Sequence, residues 1–351
     1  MKFIAIGVIA ALVAVLGVFA ETGAQSFNAP NGTAGAVDRG ARWLASVQGA
    51  DGGWGQDGGG TPYIRAEERL ESNGNDVANT AVAALALLKA GQEYRPNVER
   101  AVRFVLERVE ASPTVGLSVT DVQGTQIQRK LGPYIDTFLA SMFLAEVDGK
   151  LRTPDLNRRA RQALEKIVWK IEQNQMADGS WNFDGGWAPV LGTSMASRSL
   201  FAAQASGLRV NEAVLDRAGD YARTGLASAS PAAAGVPLYQ GAQALEQLTR
   251  TEEDRERNAQ EIAAIRSQLT DARFVDGFGS VGGEEFFSYL NVSDALGRAG
   301  GDQWERWHAD ITRRILGQQN ADGSWAGHHC ITGRVAVTGG AILNLTVGHA
   351  G

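Results

Sequence analysis

Apolar residues in this chain fall into two kinds of run, and their alternation predicts helices throughout. One kind is amphipathic, with a period near 3.6. Val37, Ala41, Leu44 and Ala45 share a face within 37–47, and the runs 97–109, 156–173, 211–226, 251–269 and 304–316 follow the same rule with charge opposite. The other kind is apolar on almost every side, as in 77–90, 134–147, 194–205, 239–248, 286–296 and 332–347. A helix without a polar face belongs to an interior. Outer and inner runs alternate as about six pairs of roughly 50 residues, and no such unit buries its own apolar face. An open array would leave the inner helices wet. The pattern therefore predicts an all-α fold, a closed (α/α)6 toroid of two concentric helical rings, occupying residues 37–351 as one domain.

The repeats are punctuated by one recurring turn. Gln319-Asn320-Ala321-Asp322-Gly323-Ser324-Trp325 has a near twin at Gln175-Met176-Ala177-Asp178-Gly179-Ser180-Trp181 and a looser copy at Gln48-Gly49-Ala50-Asp51-Gly52-Gly53-Trp54. In each, an outer run stops at Gln, Asp-Gly turns the chain, and Trp follows at a fixed distance. Gly accepts positive φ without steric cost and Asp bonds its own following backbone, so Asp-Gly is a strong turn signal.

Composition narrows the partners. The net charge of -6, with acidic and basic residues interspersed, excludes a nucleic-acid surface. Lys2 followed by an apolar run from Phe3 to Phe19 reads as an export signal over 1–24, ending near Ala20 or Ala24, or as a membrane anchor if uncleaved. The expected location is therefore exported, periplasmic or cell-surface, with membrane contact only through that segment. Residues 25–36 read as a linker, and the Gly-rich stretch 55–75 is long enough for a loop to be functional. A single cysteine, Cys330, cannot form an internal disulfide, so packing must supply the stability.

The segment Arg39-Gly40-Ala41-Arg42-Trp43-Leu44, followed by Gln48, Gly52 and Trp54, resembles the repeat of squalene and oxidosqualene cyclases and, more loosely, that of protein prenyltransferase β subunits. The resemblance runs from about Val37 to Val347. It implies a structural role for Gln48, Trp54, Gln175, Trp181, Gln319 and Trp325, which in the family tie the end of one outer helix to its neighbours. It also implies parallel inner helices whose N-termini gather at one mouth of a central cavity. That cavity would take an elongated apolar or isoprenoid-like ligand, lined by Tyr134, Tyr239, Phe286, Phe287 and Tyr289 with Arg198 and Arg334 nearby.

Three chemistries are weighed at that mouth. The cyclases begin with an Asp-x-Asp-Asp acid that this chain lacks; Asp76 and Asp136 stand singly at helix starts, where capping explains them. Prenyltransferases hold zinc with Asp, Cys and His. Here Glu285, His329 and Cys330, with Glu284 and His328 as substitutes, are the residues suited to zinc. Without metal, Cys330 at a helix N-terminus beside His would be a thiol nucleophile of lowered pKa, with no third orienting group in the sequence; Glu285 and Asp136 are the other catalytic candidates. A carbohydrate-active enzyme would use Glu284 and Glu285 with Arg334, and Trp187 would stack on a sugar. A different class of reading makes the ring mouth and the 55–75 loop a non-catalytic surface for an unidentified protein or glycan.

Overall fold

The structure is a computed structural model and describes residues 32–57, 74–181, 189–227, 236–276 and 282–348. Residues 1–24, expected to be an export signal, most of the expected linker, residues 58–73 of the Gly-rich stretch and Trp187 lie outside the described residues.

Outer and inner helices alternate along the chain. Outer α1 (Thr33–Ser46) precedes inner α2 (Val77–Ala90), and outer α3 (Arg95–Ala111) with the short α4 (Gln126–Leu131) precedes inner α5 (Ile135–Val147). Outer α6 (Pro154–Gln173) pairs with inner α7 (Pro189–Ala205), and outer α8 (Glu212–Ala227) with inner α9 (Val236–Leu248). The fifth outer element is broken into α10 (Glu252–Arg257) and α11 (Ala259–Gln268); short α12 (Ala272–Asp276) follows, then inner α13 (Gly283–Ala299). Outer α14 (Gly301–Leu316) and inner α15 (Arg334–Thr346) complete the set. No β-strand occurs among the described residues.

The inner helices form a closed ring. α2 packs on α5, α5 on α7, α7 on α9, α9 on α13, α13 on α15, and α15 back on α2. Their sequences explain the position: every residue of α2 from Val77 to Leu87 is buried, whereas α6 buries only a stripe including Leu156, Ala160, Leu164, Ile167 and Ile171. Small residues bring the ring helices close. A Cβ on Gly339 of α15 would lie 2.5 Å from Val82 of α2. The break after α10 replaces the continuous helix expected over 251–269: a Thr251/Asp254 capping box starts α10, and Asn258 leaves helical geometry at its end.

The recurring turn is the same physical joint three times. Trp54 Nε1–H donates to Leu44 O at 2.8 Å, Trp181 to Ile171 O at 2.7 Å, and Trp325 to Ile315 O at 2.7 Å. Each indole thus adds a second donor to a carbonyl in the last turn of the outer helix that precedes it, beside the backbone N–H three residues on. The Gln side-chain amide meanwhile donates to the turn's own Gly carbonyl and to the first turn of the next outer helix. Those second acceptors are Asn97 O, Val214 O and Ala36 O for Gln48, Gln175 and Gln319, at 3.0, 2.8 and 2.9 Å. The last bond joins the end of the chain to α1 and closes the outer ring.

Candidate functional site

The segments that enter the inner helices meet at one end of the ring. Gln126 accepts from Thr332 N–H and Gly333 N–H at 2.9 and 3.1 Å. Val335 N–H donates to Gln56 O at 3.0 Å and Arg334 N–H to Asp57 Oδ1 at 3.1 Å. Chemistry-bearing side chains concentrate at this rim and just below it, in three groups.

The first group is a pair of buried carboxyls at the start of α2. Asp76 is anchored by the preceding turn, its N–H donating to Trp54 O at 3.0 Å, and its side chain accepts from Asn79 N–H and the Asn79 amide, both at 2.8 Å. Asp136, from the first turn of α5, reaches across to accept from Ala78 N–H at 2.9 Å and from the Gln128 amide at 2.7 Å. Two carboxyls thereby share one helix N-terminus. Burial, and after it the charge of Asp136, raises Asp76 to about 7; burial likewise raises Asp136 to about 6 against the pull of its hydrogen bonds.

The second group lies where α13 and α15 begin. A carboxylate oxygen of Glu284, an imidazole nitrogen of His329 and the Cys330 sulfur all fall within 4.8 Å of one another. Glu284 is fully buried and accepts from Ile331 N–H at 3.3 Å, while His329 Nδ1 lies 3.7 Å from its other oxygen. Burial, and then a hydrogen bond to Glu284 and its charge, push the Cys330 thiol up to about 12. That shift runs opposite to the lowered pKa expected of a nucleophilic thiol. As a ligand set, carboxylate, imidazole and sulfur fit zinc.

The third group crosses the ring. Arg198 of α7 pairs with Asp294 of α13, donates to Asn291 Oδ1 at 2.7 Å, and Asn291 in turn donates to Ser194 Oγ at 2.6 Å. α9 stands between α7 and α13 in the ring, so this network spans the interior rather than a helix seam. Burial brings the Arg198 guanidinium down to about 10.

Comparison with known proteins agrees with this architecture. Residues 15–119 match the squalene-hopene cyclase C-terminal domain. A stretch of 70 residues is 37% identical to squalene–hopene cyclase of Bradyrhizobium diazoefficiens, covering 20% of this chain and 10% of that protein. The chain thus aligns with about a tenth of that relative's length. The type II terpene cyclase of Scytonema, solved with its substrate geranylgeranyl dihydroxybenzoate, superposes with a TM-score of 0.55 at 11% identity, over 90% of this chain and 97% of that one. Its complex with the product merosterolic acid A gives 0.53 at 13% identity, over 91% and 97%. This chain has the toroid fold of the squalene cyclase and prenyltransferase repeat family.

Within this cyclase-type toroid the residues expected at the cavity divide. Arg198 reaches the interior. Tyr289 points the other way, its hydroxyl donating to Val275 O at 3.2 Å and its ring edge-on to Trp307 of α14 at 6.1 Å, so it fills the layer between the rings. Phe286 is buried, its ring 6.3 Å from Tyr289, and Phe287 is buried as well. Tyr134 is half-buried and precedes α5, and the Tyr239 side chain lies outside the described residues. Arg334 ties the rim to the outer ring, bonding Asp322 at 2.9 Å beside Asp57 and lying 5.0 Å over the Trp43 ring. Its guanidinium is thus engaged by Asp322 and Asp57 on the outer side of the rim. Glu284 rather than Glu285 joins His329 and Cys330, and His328 is exposed outside the cluster. Adjacent residues in a helix's first turn point in different directions, and only the observed start at Gly283 decides which faces the loop. Asp294 escaped the sequence reading, although an acid in mid-course of an inner run was its visible signal.

Proposed function

We propose that this chain is a terpene-cyclase-like protein whose ring receives an elongated, apolar, isoprenoid-like molecule, and whose Asp76–Asp136 pair supplies a proton to it. The observation behind this reading is the pair itself, two buried carboxyls meeting at one helix start, on a fold shared with a cyclase that holds a geranylgeranyl substrate. A carboxyl that stays protonated near neutral pH can protonate a carbon–carbon double bond, and the N-terminus of α2 favours the carboxylate left behind. Asp-x-Asp-Asp is not needed if the acid is assembled from two inner helices instead of one. Ala78 N–H and Gln128 hold Asp136 in place for that role. An exported location, favoured by residues 1–24, belongs to the same proposal.

The test incubates the full chain with geranylgeraniol and with squalene and examines extracted lipids by mass spectrometry. Cyclised isomers of unchanged mass are expected, with Asp136→Asn and Asp76→Asn cutting the yield by about 100-fold or more while bound lipid is retained. Failure of the wild type to retain either lipid refutes the ligand. Conversion indifferent to both substitutions refutes the acid pair.

A further inference from the structure

We propose that Glu284, His329 and Cys330 bind a transition-metal dication of the zinc class at the rim of the ring, with a coordination position left open. The three donors come from the entries of two neighbouring inner helices and approach within 4.8 Å of one another. Tetrahedral zinc with thiolate, imidazole and carboxylate ligands needs donor separations of about 3.3–3.6 Å, so the cluster has to contract by about 1 Å. Sulfur and nitrogen together select zinc-like ions over magnesium or calcium.

Independent features of the backbone point to the same spot. Cys330 has φ 59, and it is the one residue other than glycine with positive φ among the described residues. Left-handed backbone at a non-glycine residue is strained and clusters at ligand clamps. The space between the donors exists because residue 282 lacks a side chain. A Cβ there would lie 2.6 Å from His329 Cε1 and 2.7 Å from a carboxylate oxygen of both Glu284 and Glu285. Ile331 N–H fixes the Glu284 carboxylate from behind, the kind of outer support that orients metal ligands. The His329 side chain is 27% exposed, which leaves a path for the ion and a side from which a fourth ligand can enter. The positive end of α13 opposes a cation, but Glu284, Glu285 and a metal-bound thiolate supply more negative charge than that end offsets.

The experiment loads the purified full chain with Co(II) as a spectroscopic probe, and separately with Zn(II), followed by gel filtration and metal analysis. Because Cys330 is the sole cysteine, a near-ultraviolet thiolate-to-Co(II) band can arise only there. That band and about one retained ion per chain are expected. Cys330→Ser should abolish the band, and His329→Ala and Glu284→Gln should weaken retention at least about 10-fold. His328→Ala should leave both unchanged. Loaded wild type without the band, or retention equal in wild type and His329→Ala, overturns the site, and the wild-type spectrum decides even if the variants fold poorly.

Discussion

Gly323→Ala tests how the last turn closes the ring onto α1. Gly323 has φ +92, and a Cβ at this position would lie 2.7 Å from Arg39 O and 2.9 Å from its carbonyl carbon. The left-handed backbone alone costs an alanine about 1–2 kcal/mol. Relief of the contact requires the turn and α1 to separate by about 0.5–1 Å, since carbon–oxygen contacts tighter than about 3.3 Å are repulsive. That movement stretches the bonds of the Gln319 amide to Ala36 O and Gly323 O, both now 2.9 Å. Each bond is worth about 1 kcal/mol, which brings the expected loss to about 3–4 kcal/mol. Gly207→Ala is the matched control: its φ is +82 but nothing lies within 4 Å of the added carbon, so only the backbone term applies. Urea unfolding followed by circular dichroism measures both variants. Gly52 and Gly179 face Arg100 O and Arg217 O in the same way and should resemble Gly323. Equal losses for Gly323→Ala and Gly207→Ala would show that the turn does not clamp the neighbouring helix.

Trp325→Phe removes the indole N–H that bonds Ile315 O at 2.7 Å and half of a fully buried ring system, and should cost about 2–3 kcal/mol in the same assay. Arg198→Met strands Asp294 beside the ring interior and should destabilise by about 2–3 kcal/mol, whereas adding Asp294→Leu should restore most of that loss; a double variant no better than the single one contradicts an interior ion pair. Asp76 and Asp136 hold protons more tightly folded than unfolded. Stability should therefore be greatest below about pH 4 and fall as pH rises toward 6 and 7, by up to about 1.4 kcal/mol per pH unit for each group. Asp76→Asn should flatten that slope between pH 4 and 7, and an unchanged slope in urea melts would refute the pairing.

Much of the toroid was legible because burial of a helix is written in its own residues. Eleven consecutive buried positions in α2 leave no polar face to hydrate, and the stripe of α6 leaves only one side to bury. Helix starts were less legible. α7 begins at Pro189 and not at Ser194, and α13 at Gly283 and not at Phe286, because Gly, Thr and Ser in first turns read as caps when tertiary contacts are unseen. Those few residues of offset determined that Glu284 faces His329 and that Tyr289 faces Trp307.

By itself, then, the amino-acid order determined the alternation of outer and inner helices, the turns between them and the types of residue at the rim, all consequences of local periodicity and turn chemistry. Only the tertiary structure decided which of these residues meet. Asp76 and Asp136 lie far apart in sequence and Arg198 and Asp294 farther still, yet each pair is joined by the order in which helices stack around the ring. Such contacts depend on axial register and rotation of whole helices, which the burial pattern of any single helix does not encode.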